Sequence, residues 1–173
     1  MSKSKAEYNY EYDCFSKEEM DKALKELKTR GLNYFDALRN KRPDLKLHYL
    51  CLCQGSALYY AHLIDQKTNP EYRGVKDFDV WLFVSGYNNK NNKNYSSRRH
   101  RTEKIIVQGK PKKVDLLIYN SEALKNNSSL IKVLQNELRR KTARCLLDKA
   151  IIDLSDKKIL YVNKEYSDKN KKC

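Results

Sequence analysis

The stretch Lys76-Asp-Phe-Asp-Val-Trp-Leu-Phe-Val84 constrains the fold of this chain more than any other. Asp77 and Asp79 alternate with the large apolar residues Phe78 and Val80, the period of a β-strand, so both carboxylates leave the same face. The continuation Val80–Val84 is apolar on both faces, as in a central strand covered on both sides. Two acids at the head of so buried a strand repel each other unless a cation lies between them. A hard divalent ion bound through carboxylate oxygens meets that need. A second apolar run, Val114–Tyr119, carries one more acid, Asp115. If the two strands pair, three carboxylates converge, an arrangement suited to metal-assisted phosphoryl or nucleotidyl transfer.

Upstream, Leu45–Cys53 reads as a buried strand that runs into Gln54-Gly55-Ser56 and then a helix over 57–64. A glycine and a hydroxyl at a helix start can meet a phosphate through backbone N–H groups, the side chain and the helix dipole.

Taken in order, Gly55-Ser56 on a strand-to-helix turn, Asp77-x-Asp79 on the next strand and Asp115 on a later one resemble the nucleotidyltransferase superfamily of polymerase-beta-like fold. The resemblance covers about 45–119, in the family's order. It implies that Gly55 and Ser56 contact the triphosphate of a bound nucleotide and that Asp77 and Asp79 hold Mg²⁺ (or Mn²⁺). It further implies that Asp115 completes the metal site and helps activate an acceptor hydroxyl. One departure is the long interval between Ser56 and Asp77, which reads as an inserted loop at Asp65–Gly74.

The net charge of +14 favours polyanionic partners, either nucleotides or RNA, although a solvated lysine-rich surface produces the same count. Arg98-Arg-His-Arg101 closes an Asn-rich loop at 85–97, and Arg99 and Arg101 are candidates to hold a triphosphate through guanidinium forks. No apolar run approaches the roughly 18 residues that span a bilayer, so no membrane partner is expected. The N-terminus has no signal-peptide core, and the five cysteines show no framework spacing, which fits a reducing cytoplasm. Cys51 and Cys53 share a strand face and read as core residues.

Ser16-Lys-Glu-Glu19 is a capping box that opens a helix at 17–29, with Gly31 as its stop and a second short helix at 32–40 before Pro43. Strands at 103–107 and 113–119, joined by a turn at 108–112, form a hairpin that presents Asp115. An amphipathic stripe predicts one long helix over 128–149, followed by a terminal hairpin of 150–154 and 158–162. The Arg139-Arg-Lys141 and Arg144 face of that helix could touch nucleic acid or face water.

The expected fold is an α+β (α/β-like) domain, a mixed sheet flanked by helices, over 16–162, with a flexible arm at 1–15 and a basic disordered tail at 163–173. The expected function is Mg-dependent transfer of a nucleotidyl group from a nucleoside triphosphate to a hydroxyl, at a site complete in itself or completed by a protein partner or homodimer. The rival expectation is a basic nucleic-acid-binding module that keeps the fold without catalysis.

Overall fold

The computed structural model describes residues 8–65, 74–87, 101–126 and 129–166. Its elements in chain order are α1 (Lys17–Lys41), β1 (Lys46–Cys53), α2 (Gln54–Ile64), β2 (Phe78–Ser85), β3 (Arg101–Val107), β4 (Lys110–Asn120), a 3₁₀ turn (Glu122–Asn126), α3 (Leu130–Asn136), α4 (Lys141–Leu146), β5 (Ala150–Asp153) and β6 (Ile159–Val162). The strands form one mixed sheet in the order β3-β4-β2-β1-β5-β6. Only β2 and β4 run parallel; the other neighbours are antiparallel. This is an α+β fold with helices on both faces of the sheet.

Strand parity sorts the core into two layers. Phe78, Val80, Leu82 and Val84 of β2 pack with Leu50, Leu52, Val114, Leu116 and Ile118 against α1 and α2. Trp81 and Phe83 face the other way, with Cys51, Cys53 and Tyr119, beneath α3 and α4. The cysteine pair is therefore core, as the sequence indicated, and burial pushes both thiols well above their ordinary range. Asp79 and Asp115 share the parity of Trp81 and Tyr119, so their carboxylates leave the sheet on the α3/α4 side.

The capping box forms as expected. Ser16 Oγ accepts from the Glu19 amide at 3.2 Å, and the Ser16 amide donates to Glu19 Oε2 at 3.3 Å. Gly31, however, does not end the helix. It lies inside a single 25-residue α1, where a Cβ would stand 2.6 Å from Leu50 Cδ1. The glycine lets the helix approach β1 closely, and the chain breaks helix only before Pro43.

The long helix expected over 128–149 is instead two short ones, and Ser128 lies outside the described residues. Glu137 is the reason. Its carboxylate accepts from Tyr119 Oη and Ser121 Oγ, both at 2.6 Å, and from Arg140 at 3.1 Å. The Arg140 guanidinium also lies 3.9 Å from the Tyr119 ring centre, and Arg144 donates to the carbonyls of Leu138 and Arg139. These bonds hold 137–140 as a turn and spend two of the arginines within the fold.

The β3–β4 hairpin is tighter than the sequence suggested. Gln108 (φ 52°) and Gly109 (φ 73°) make a two-residue turn, and Pro111 belongs to β4. The N-terminal stretch expected as an arm is tied to the body from Asn9 onward. The Asn9 amide donates to the Pro111 carbonyl, Asp13 bridges Val75, and Phe15 is buried. Lys112, fully buried, pairs with Asp13 at 2.5 Å and donates to the carbonyls of Glu11 and Val75. No helix among the described residues is long and apolar enough to cross a membrane.

The Gly31 contact gives a direct test. Gly31→Val forces a branched side chain into Leu50 and should lower unfolding free energy by about 1–3 kcal/mol, read from chemical denaturation. An unchanged midpoint would show that α1 and β1 can separate at no cost.

Candidate functional site

The site lies where β1 ends, β2 begins and α2 starts. The parallel pairing sets Asp79 directly beside Asp115, and on the other side of β2 the partner of Asp79 is Cys53, the last residue of β1. Gln54 then turns the chain from β1 into α2 with φ 66°, a left-handed conformation unusual outside glycine. Its side chain is held there by a 2.8 Å hydrogen bond to the Cys145 carbonyl of α4. Such strain costs about 1–3 kcal/mol and persists where surrounding contacts fix it. Among the described residues no side chain caps the N-terminus of α2, and no acid lies in its first turn.

These elements enclose a cavity of about 260 Å³ lined by Gln54, Gly55, Ser56, Asp77, Asp79 and Lys149, with Tyr12 and Tyr166 among the other wall residues. Ser56 is buried, and its Oγ has no hydrogen-bond partner among the described residues. A buried hydroxyl without a partner is costly in a native protein unless a ligand or water completes it.

Asp79 is the acid of the cavity with a shifted pKa. Burial pushes its carboxyl up to about 7, and Asp77 and Asp115 act in the same direction against the opposing pull of Lys113 and Lys149. Asp115 is differently placed. Its Oδ2 pairs with Lys113 Nζ at 2.9 Å and its Oδ1 accepts from Thr102 Oγ1 at 3.0 Å. The bond to Asp115 raises the Lys113 pKa.

The structure thus brings together Gly55, Ser56, Asp77 and Asp79 around one cavity, with Asp115 in register beside Asp79 but engaged by Lys113. Arg101 stands apart. By strand parity it points to the α1 side, 5.9 Å from the Tyr34 ring centre, opposite the face of Asp115. It does not line the cavity, which corrects its expected place beside a triphosphate. Arg99 lies outside the described residues, as do 88–100 as a whole and 66–73 of the interval between Ser56 and Asp77.

Among the wall residues, the polar side chains of Tyr12, Lys76, Lys149 and Tyr166 were not expected at the site from the sequence. Lys113, which is not in that wall but holds Asp115, had a legible signal, because it precedes Asp115 by two and shares its face. Lys149 and Tyr166 come together through tertiary structure only. The ammonium lies 5.2 Å from the Tyr166 ring centre, and the Asn163 amide donates to the Lys149 carbonyl at 2.7 Å.

Among the described residues no three His, Cys, Asp or Glu side chains form a ready ion cage. Mg²⁺ is commonly held by one or two carboxylates, with water and substrate phosphates completing its octahedron. The donor set at the cavity, Asp77 and Asp79 beside an unpartnered hydroxyl, fits that use. No protein family, curated protein or solved structure matches this chain.

The raised Asp79 pKa makes a signed prediction. A carboxyl whose folded pKa exceeds its ordinary value near 3.8 stabilises the fold while protonated, and that stability is lost as pH rises from about 4 through about 7. Asp79→Asn should therefore match wild type near pH 4 and exceed it above pH 7, by up to about 4 kcal/mol, in thermal melts without divalent ions. Melting curves whose separation stays constant across that range would refute the buried charge.

Proposed function

We propose that this chain is a nucleotidyltransferase-like protein that binds a nucleoside triphosphate and passes its nucleotidyl group to a hydroxyl acceptor. The observation that carries this reading is the convergence on one cavity of a half-buried carboxylate with a raised pKa, Asp79, and a buried hydroxyl without a partner among the described residues, Ser56. A structural ion pair would have neutralised the first, and an ordinary helix start would have bonded the second. Both are satisfied at once by a phosphate group and its cation.

In this reading the α2 amides, Ser56 Oγ and Lys149 hold the phosphates, while Asp77 and Asp79 hold the ion. Mg²⁺, when bound, supplies positive charge to the phosphates and to the attacking and leaving oxygens. The cavity has room for phosphates, and the nucleoside extends past its rim. Asp115, oriented by Thr102, receives the proton of the acceptor hydroxyl as its oxygen attacks the α-phosphorus and pyrophosphate leaves. For that role Lys113 must exchange its bond to Asp115 for one to substrate phosphate.

The Lys113–Asp115 pair also supports a second reading. An acid neutralised by its own neighbour suits a fold kept for binding nucleic acid without transfer. Calorimetric titration of the four common nucleoside triphosphates, with and without Mg²⁺, separates the two. Transfer predicts Mg²⁺-dependent binding that Asp77→Ala/Asp79→Ala abolishes and that Ser56→Ala weakens roughly tenfold. With a competent acceptor, either single aspartate variant should lose about 100-fold or more in rate. Nucleotide binding that ignores both Mg²⁺ and the aspartates would overturn the proposal.

A further inference from the structure

At the opposite end of β1 from the candidate site lies a second concavity. It has a volume of about 690 Å³ and is lined by Arg39, Lys41, Arg42, Lys46 and Lys125, with Asp44 the one acid in its wall. Since β1 is eight residues long, the two cavities are separated by roughly 25 Å along the strand. The floor is backbone. At Gly86 (φ +82°) a Cβ would stand 2.4 Å from the Asp44 carbonyl oxygen, so the chain segments cross in van der Waals contact and the concavity has a fixed base.

Arg39, Lys41 and Lys46 are exposed and have no ion-pair partner among the described residues. Lys125 pairs with Glu122. Arg42, in the wall, lies with its guanidinium carbon 4.0 Å from the centre of the buried Tyr87 ring beneath it. Cations in the last turn of α1 answer the helix dipole, but Lys46 on β1 and Lys125 on the 3₁₀ turn belong to other elements. Residues from three separate elements thus build one positive surface. Its field is felt nearby: His48, which shares a 2.7 Å hydrogen bond with Ser85, has its pKa lowered by burial and then by Lys46, while Glu122 opposes and Lys125 adds to the lowering.

We propose that this concavity is a binding site for the backbone of single-stranded nucleic acid, separate from the nucleotide cavity. The exposed cations Arg39, Lys41 and Lys46 follow a phosphate chain, and the planar Arg42 guanidinium, backed by the buried Tyr87 ring, suits a base, a feature that carboxylates of an acidic protein segment do not need. The site goes beyond the proposed transfer activity and stands whether or not transfer occurs.

Fluorescence anisotropy of a labelled 20-nucleotide oligouridylate, titrated with protein across salt concentrations, tests it. Arg39→Gln/Lys41→Gln/Lys46→Gln should weaken binding at least tenfold and reduce the log–log salt slope by about 2, given roughly 0.7 per neutralised phosphate on a single strand. A control triple, Lys22→Gln/Lys25→Gln/Lys104→Gln, removes equal charge from exposed positions elsewhere and should change affinity less than threefold. Equal losses in the two triples would overturn the proposal, leaving only the general charge of the chain. So would polyglutamate competing as well as unlabelled oligouridylate. Asp77→Ala/Asp79→Ala serves to distinguish the two cavities: it should leave oligouridylate binding unchanged, and the first triple should leave Mg²⁺-nucleotide titrations unchanged. Failure of the transfer reading therefore shows in the titrations and failure of this one in the anisotropy.

Discussion

The placement of one carboxylate, Asp79, on the central strand pair sets the terms for everything around it. β2 is enclosed by β1 on one side and β4 on the other, and both of its faces are packed. The acid at its second position is only partly exposed, so it is less hydrated than a surface acid, and two further carboxylates lie close by. Lys113 and Lys149 offset part of this cost, and burial still dominates. Folding tolerates that cost because the rest of β2 is apolar and fills both core layers. The instability is local, and the cation proposed for the cavity would relieve it.

The N-terminal segment and the loop before β2 are braced toward this point. Lys112, buried on β4, bonds the carbonyls of Glu11 and Val75 and pairs with Asp13, which itself bridges Val75. A lone buried lysine would be destabilising by several kcal/mol; here its ammonium is surrounded by acceptors. The consequence for the site is positional. Tyr12 and Asp77 both line the cavity, and both sit within two residues of groups that Lys112 or Asp13 holds. On the far side Gln54, bonded to the Cys145 carbonyl, ties the strained start of α2 to α4. The cavity is framed by residues fixed from several elements, which suits a site that works by positioning and electrostatics.

Much of this was legible in the sequence, and the parts that were not share a cause. Asp77, Asp79 and Asp115 stood out because acids interrupted apolar runs of period 2; strand geometry converts that pattern directly into a shared face for Asp79 and Asp115, while Asp77, expected on the strand, lies just before β2 and reaches the cavity from there. Gly55-Ser56 stood out by its place between a strand run and a helix run. Gly31 was misread because a glycine that stops a helix and one that lets a helix approach a strand look alike until Leu50 is placed. The single long helix was misread because Glu137 is bonded by Tyr119 and Ser121, partners 18 and 16 residues away. Lys149 and Tyr166 joined the site through chain crossings that no periodicity records. Arg101 shows the converse: its position in the chain suggested the site, and strand parity turned it to the other face.

The most direct test of the central claim is a crystal structure of the protein with Mg²⁺ and a non-hydrolysable nucleoside triphosphate. The account predicts the triphosphate over the start of α2, Ser56 Oγ donating to a phosphate oxygen, and the ion on Asp77 and Asp79. Lys113 should have left Asp115 for the phosphates. A nucleotide bound elsewhere, or an ion that avoids Asp79 while Ser56 stays without a partner, would contradict it.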